Sequence, residues 1–321
     1  MRANIKGNTE SDMKSGMNAT DVFARALEEN APAKINLYLH VTGRRDDGYH
    51  FLDSLVVFAG ARDTIRYVQG EEPLHLKVTG CFGDRLDQLT VGEDNLVVKA
   101  AKSMQAFGQG DIRGGCLLLE KNLPIASGIG GGSSDAAATL RLLNRAWGIN
   151  VDQSTLLQIS EKLGADVPVC LLRQSLRMEG IGNRFRPVPV LPQYGIVLVN
   201  CGQAISTHEI FGRRCGEFKS CVSMPTLWRD VYKLVAFLKE QTNDLEVAAC
   251  ELCPDIREVL SVIAAQDHCL MARMSGSGAT CFGIFPSIQR AQHAADCITN
   301  SYQEWWSWGG GSYSELSYSE L

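Results

Sequence analysis

No apolar stretch in this 321-residue sequence approaches the ~20 residues that a membrane-spanning helix needs. Nor does charge of one sign dominate. With 31 Lys and Arg against 36 Asp and Glu, the net charge is -5, so the chain carries no basic footprint for nucleic acid or an acidic membrane surface. Any anion must therefore be captured locally, and the expected partner is a small molecule. The six histidines, His40, His50, His75, His208, His268 and His293, lack the spacing of metal ligands. Eleven cysteines run from Cys81 to Cys297 without framework spacing, a pattern that suits reduced thiols in a cytosol. Cys250-Glu-Leu-Cys253 is formally a Cys-x-x-Cys, but no second pair accompanies it and it sits in a helical pattern. The first 30 residues lack the apolar core of a signal peptide and are too acidic for a transit peptide. A cytoplasmic location is the expectation.

What is present is a globular composition, 45% hydrophobic and 21% charged, on a chain long enough for two cores. Its most informative stretch is Leu123-Pro-Ile-Ala-Ser-Gly-Ile-Gly-Gly-Gly-Ser-Ser-Asp135. Gly128, Gly130, Gly131 and Gly132 allow backbone conformations closed to other residues and let several N–H groups approach an anion. Ser133, Ser134 and Asp135 then open a helix whose free N–H groups and positive dipole end point the same way. That helix is marked by Ala136, Leu140, Leu143 and Trp147, with Gly148 as its C-terminal stop. No lysine follows the glycines, which excludes a Walker A loop, and Ser133 stands where a dinucleotide fingerprint needs glycine. A third kind of phosphate cradle remains.

Elsewhere the pattern predicts a polar lead-in over 1–30, with a short helix from Asp21 to Glu29. Ala33 to Val41 alternates, with Ile35, Leu37, Leu39 and Val41 on one face and Lys34, Asn36, Tyr38 and His40 on the other. The first face reads as core and the second as the one that carries chemistry. Strands are predicted over Leu52–Ala59, Thr64–Val68, Leu74–Val78 and Ile112–Glu120, and helices over Asn95–Phe107 and Asp152–Leu163. Asp166, between Gly164 and Pro168, is fixed at an element boundary. Asn243-Asp-Leu-Glu246 reads as a capping box. Ser275-Gly-Ser-Gly278 is a second glycine loop, able to approach either a ligand or the first loop. The end of the chain, with Trp305-Trp-Ser-Trp308, a glycine run and a tandem Ser-Tyr-Ser-Glu-Leu, reads as linker and flexible tail.

Taken together, Pro32-Ala-Lys-Ile-Asn36, Gly48-Tyr-His50, the Pro124 to Ala138 loop and Ser275-Gly-Ser-Gly278 resemble the galactokinase, homoserine kinase, mevalonate kinase and phosphomevalonate kinase (GHMP) superfamily. Within it, the first two motifs are similar to kinases of the non-mevalonate isoprenoid pathway that act on a cytidine-diphosphate-linked methylerythritol. The resemblance runs from about Ala31 to about Ile298. It implies an α+β fold: an N-terminal domain with a left-handed βαβ crossover over 31–188, a C-terminal ferredoxin-like domain over 189–300, and a cleft between them. It further implies ATP and Mg²⁺ as cofactors, Asp166 as base with Lys34 beside it, and an ATP-binding loop from Pro124 through Ser127, Gly128, Ile129, Gly130, Gly131, Gly132, Ser133 and Ser134. Either serine could stand at Mg²⁺. Tyr49 and Phe211 match an aromatic pair that encloses the cytosine, His50 a residue that reads the base edge, and Asn36 and Thr207 positions at the methylerythritol end; Ser275 and Gly276 complete the substrate side. Two alternatives stay open: a sibling kinase acting on homoserine, mevalonate or a sugar, and a non-catalytic ligand sensor on the same scaffold.

Overall fold

The structure, a computed structural model, describes residues 26–85, 92, 94–108 and 114–313. Its spine is a long antiparallel hairpin of β1 (Leu27–Arg44) and β2 (His50–Gln69). The Asp46-Asp-Gly48 turn closes it, with Gly48 at φ +92° and Asp47 Oδ1 accepting from the Tyr49 N–H at 3.2 Å. β4 (Gly115–Glu120) pairs with the far half of β2 and β5 (Leu176–Gly180) with its near half; β3 (His75–Thr79) and β6 (Arg184–Pro187) extend the two ends. The two predicted strands Leu52–Ala59 and Thr64–Val68 are thus one. β3 and β4 run parallel, joined through α1 (Leu96–Gln105), whose first turn is capped by Asn95. Of the predicted strand Ile112–Glu120, residues 112 and 113 lie outside the described residues.

Two expectations for the start of the chain change. The predicted helix over Asp21–Glu29 is overturned where it can be seen, because Leu27 to Asn30 are the first rungs of β1; residues 21–25 lie outside the described residues. Local propensity yields there to β2 pairing and to the capture of Glu29 by arginines. The strict alternation of β1 also fails, since register shifts fall between Pro32 and Lys34 and between Asn36 and Tyr38. An extra residue in a bulge reverses the facing of all that follows. So Lys34, Asn36 and then Leu39 face the cleft, while Tyr38 and His40 are buried away from it, Tyr38 donating to Asp53 Oδ1 at 2.9 Å.

The glycine loop leads into α2 (Gly131–Ala146), which packs on β1, β2 and α1. It begins earlier than Ser133, with Gly130 as its N-cap at φ +63°, so the Ser133, Ser134 and Asp135 side chains are not its caps. α3 (Gln153–Glu161) is capped by Asp152, and α4 (Val167–Leu172) starts directly after Asp166, its N-cap residue.

The second sheet has the order β10-β7-β9-β8, built from β7 (Gly195–Asn200), β8 (Met271–Met274), β9 (Cys281–Phe285) and β10 (Trp306–Gly310). α5 (Thr207–Arg213), α6 (Val231–Lys239), α7 (Glu246–Leu252) and α8 (Asp255–Ala264) lie between β7 and β8, and α9 (Ile288–Ser301) links β9 to β10. In sheet numbering this is the 4-1-3-2 order of a ferredoxin-like domain. β10 corrects the expected tail: Trp306 to Gly310 pair with Asn200 to Ile196. The glycines that read as linker are needed for packing, since a Cβ on Gly309 would run into the Ala291 carbonyl of α9. Residues 314–321 lie outside the described residues. Apolar clusters join the halves, one setting Ile35 and Val57 of the hairpin against Ile196 and Phe282 of the second sheet, another Leu39 and Val41 of β1 with Val197 and Val199 of β7.

Candidate active site

Between the two sheets lies a cavity of about 1270 Å³. Lys34, half-way along β1, donates from Nζ to Asp166 Oδ2 at 2.8 Å; the Lys34 side chain is 5% exposed and that of Asp166 37%. The lysine is therefore held, while the carboxylate keeps an open face toward the cavity. Its position is set by Arg141 of α2, which donates to the carbonyls of Cys170 in α4 at 3.0 Å and Asn30 in β1 at 3.1 Å. The same arginine, with Arg145 and Arg173, binds Glu29 at 2.8, 2.6 and 2.5 Å. Burial raises the Glu29 carboxyl, but the three arginines outweigh it and hold the group below its ordinary 4.5. One carboxylate thus joins β1, α2 and α4, the elements that carry Lys34, the cradle and Asp166.

The two glycine loops touch each other. Gly128, at φ +74°, has Ser275 O and Gly278 N where its Cβ would be, at 2.6 and 2.5 Å. Gly276, at φ +57°, is equally close to Gly128 O. The Ser275 hydroxyl accepts from the Asn36 N–H at 3.1 Å and donates to Gly128 O at 3.3 Å. Of the two options for the second loop, it takes contact with the first, and Gly276 still reaches the cavity. Asn243 is not a capping-box residue: α7 begins after Leu245, and Asn243 Nδ2 donates to Met274 O and Gly276 O at 2.9 and 2.8 Å. Glu246, the box's other half, accepts from the Met274 N–H instead. Asn243 as donor and Glu246 as acceptor thus hold the second loop, while Asn243 Oδ1 accepts from the Leu245 N–H at 3.0 Å.

Beneath the cradle, Lys121 Nζ donates to Asp63 Oδ2 at 2.5 Å and Asp135 Oδ2 at 2.8 Å, all three side chains being buried. Burial opposes the lysine's charge, but the two carboxylates outweigh it and raise its pKa. Burial and the neighbouring Asp63 raise that of Asp135 despite Lys121. Asp135 lines the cavity with Oδ1 lacking a protein partner. Asp63 Oδ1 also accepts from the N–H groups of Asn122 and Leu123, which anchors the entrance of the loop.

At the cavity's other end His50 stacks on Phe211, with ring centroids 5.1 Å apart and planes at 22°. Tyr49 beside them is 62% exposed. Burial, then Arg44 and Arg214, lower the His50 pKa, which keeps the imidazole neutral at pH 7. Thr207 Oγ1 shares a 2.8 Å hydrogen bond with Ser277. Asn36 donates to Ser54 at 2.7 Å and leaves its buried Oδ1 unpaired at the cavity wall.

The cavity brings together Lys34, Asp166, Asn36, Tyr49, His50, Thr207, Phe211 and Gly276 with Pro124, Ser127, Gly128, Gly130 to Gly132 and Ser133. Three expected residues stand behind the wall instead. Ile129 is fully buried and offers only its carbonyl, to the Lys34 N–H at 2.9 Å. Ser134 donates to Pro32 O at 2.8 Å, and Ser275 is occupied by the loop contact described above. Sequence reasoning missed Arg44, Lys121 and Asp135 on the lining. Arg44 was legible, as the charged residue at the head of the turn that bears Tyr49 and His50; Lys121 and Asp135 depend on a tertiary contact with Asp63.

Models of the GHMP kinases N-terminal and C-terminal domains match residues 95–174 and 226–304. The chain is 50% identical over 292 residues to a 4-diphosphocytidyl-2-C-methyl-D-erythritol kinase from Gluconacetobacter diazotrophicus, covering 89% of this chain and 94% of that one. With the kinase of that name from Granulibacter bethesdensis it shares 45% over 288 residues, 89% and 95% of the two chains. A crystal structure of 4-(cytidine 5'-diphospho)-2C-methyl-D-erythritol kinase superposes with a TM-score of 0.72 at 31% identity, over 90% of this chain and 100% of the other. Homoserine kinase from Cytophaga hutchinsonii shares the fold at 15% identity, with a TM-score of 0.62 over 90% of this chain and 94% of that one. No helix among the described residues is long and apolar enough to cross a membrane.

Proposed function

This chain belongs to the 4-diphosphocytidyl-2-C-methyl-D-erythritol kinases of the GHMP family, and we propose on that premise that it transfers the γ-phosphoryl group of ATP to the 2-hydroxyl of that cytidine diphosphate alcohol. One observation carries the reading: the Lys34–Asp166 pair stands in one cavity with a glycine cradle and with the Tyr49, His50 and Phe211 rings. That cavity offers a phosphate donor and a base-bearing acceptor a common meeting place.

In this reading Gly128 to Gly132 and the α2 N-terminus bind the ATP phosphates through backbone N–H groups. Asp166 accepts the proton of the substrate hydroxyl as the oxygen attacks phosphorus. Lys34 holds that carboxylate in place and favours the charge that develops on the transferring group. Ser133 Oγ and the unpartnered Asp135 Oδ1 are oxygen donors at the cradle, a set that fits an oxygen-preferring cation. They would hold Mg²⁺, which when bound neutralises phosphate charge. Ser133 is favoured over Ser134, which is fully buried off the cavity lining with its hydroxyl turned to Pro32 O.

Tyr49 covers the cytosine from the solvent side, against the His50–Phe211 stack, and neutral His50 offers one donor and one acceptor to the base edge. Arg44, exposed and on the cavity lining, meets the diphosphate that follows the base. Asn36 Oδ1 and Thr207 serve the polyol. No observation favours homoserine, mevalonate or a sugar, none of which would use the aromatic end.

The test is ADP release from Mg-ATP with the diphosphocytidyl alcohol, homoserine, mevalonate and galactose offered separately. Turnover with the cytidine compound alone is the expected result. Turnover with another alcohol discards the base-reading residues, and silence with all four favours a ligand sensor.

A further inference from the structure

The Cys-x-x-Cys pair of the sequence does not meet in space. Cys250 is buried in the core of the second half, on α7. Cys253, the C-cap of α7, lies instead beside Cys201, the residue after β7, with the sulfurs 3.9 Å apart. Asp255 opens α8 two residues further on. One ligand atom from each of Cys201, Cys253 and Asp255 lies within 4.8 Å of the others, the one such group of metal-ligating side chains among the described residues.

The spacing suits a particular class of ion. Zinc–sulfur bonds of about 2.3 Å at a tetrahedral angle place two sulfurs about 3.8 Å apart, close to the separation found. A carboxylate oxygen supplies a third vertex. The group opens on a cavity of about 380 Å³ lined by Ser206, Glu209 and Asp255, which leaves room for a water or a further oxygen as the fourth ligand. Two thiolates select against Mg²⁺ and Ca²⁺, which take oxygen ligands, and favour a soft or borderline divalent cation.

We propose that Cys201, Cys253 and Asp255 form a binding site for a single zinc-class divalent cation, separate from the site that holds ATP. Binding exchanges water on the ion for two thiolates and a carboxylate, and the two thiol protons pass to solvent. Ile205 and Ser206 line both this cavity and the large cleft, and α5 with Thr207 and Phe211 follows immediately. An ion here ties the end of β7 to the α7–α8 junction and fixes the wall from which the substrate side chains project.

The test is titration of the reduced full-length chain with Cd²⁺, read by the ultraviolet thiolate-to-cadmium charge-transfer band, and with Zn²⁺ against a chromophoric chelator. Each is expected to show one equivalent that the Cys201→Ser/Cys253→Ser variant binds about tenfold or more weakly. Asp255→Asn, at an exposed position that leaves the thiols in place, is expected to keep the band and lose affinity. Cys297→Ser controls for the exposed Cys297–His293 pair on α9, 3.7 Å apart, and is expected to leave that equivalent intact. A Cd²⁺ band unchanged in the double serine variant, no equivalent beyond that variant's, or a Cys201–Cys253 disulfide that forms in preference to metal binding would each overturn the proposal. The titration reads no catalysis, so it stands or falls apart from the kinase reading.

Discussion

Glu29→Gln removes a charge whose arginine partners lie 112, 116 and 144 residues away in sequence, and should unsettle the site without touching it. The wild-type carboxylate is 6% exposed and binds Arg141, Arg145 and Arg173. The side chains of Arg141 and Arg173 are 11% and 14% exposed, so both are left nearly buried without their counter-charge, whereas Arg145, at 51%, turns to water. Breaking a buried pair from one side costs about 3 to 5 kcal/mol. Taking the lower end because glutamine still offers one acceptor, the expected loss is about 3 kcal/mol, a fall in Tm on the order of 6 to 12 °C. The pH dependence gives the diagnostic. The arginines hold Glu29 below 4.5 when folded, so its contribution is complete above that value and disappears as pH falls through the folded pKa. Thermal melts of wild type and Glu29→Gln should therefore differ at pH 7 and converge in acid. Equal melting at pH 7, or a difference that persists unchanged in acid, would refute the reasoning.

Other perturbations address the chemistry more directly. Asp166→Asn keeps the shape and a contact to Lys34 but cannot accept a proton; kcat should fall about 10²- to 10⁴-fold while ATP affinity, measured calorimetrically, stays within a few-fold. Gly128→Ala sets a Cβ against Ser275 O and Gly278 N at a residue with φ +74°, and the left-handed backbone alone costs about 1 to 2 kcal/mol; the expected readout is a raised KM for ATP with a lowered Tm. His50 is held below its ordinary 6.5 by burial and by Arg44 and Arg214, so it is neutral above that value and gains a proton as pH falls through its folded pKa. The KM for the cytidine substrate should rise on that acid limb, and His50→Gln should flatten the profile.

Legibility in the sequence followed the range of the interactions. The cradle, α2, α3 and the second glycine loop are written in local terms, as glycines at left-handed positions, an Asp152 cap and an apolar period, and local physics decides them. Lys34 and Asp166 were reached by motif, although 132 residues separate them. What escaped was decided at a distance. The bulges in β1 exist only relative to β2 and turned Tyr38 and His40 into buried residues while admitting Leu39. Glu29 reads as a surface helix residue until α2 and α4 bring their arginines to it. Trp306 to Gly310 reads as a linker until β7 offers an edge and α9 leaves space for nothing larger than glycine. Asn243 reads as a cap because its partners, Met274 O and Gly276 O, lie some thirty residues on.

These long-range residues share one task. Glu29 and Arg141 fix Asp166 against the cradle, Lys121 fixes the cradle against β2, and Asn243 fixes the second loop against the first. Phosphoryl transfer asks for little covalent work from the protein and much positioning. Each clamp joins a catalytic element to a different part of the fold, and several are buried charges that would be costly to leave unpaired. Their substitution should therefore lower kcat through displacement of Lys34, Asp166 or the cradle. That separates them from Tyr49 and Phe211, whose loss should act on the KM of the alcohol substrate alone. A kinetic comparison of Asn243→Ala with Phe211→Ala tests the distinction: a change confined to the alcohol's KM in both variants would show that the second loop positions substrate rather than the cradle.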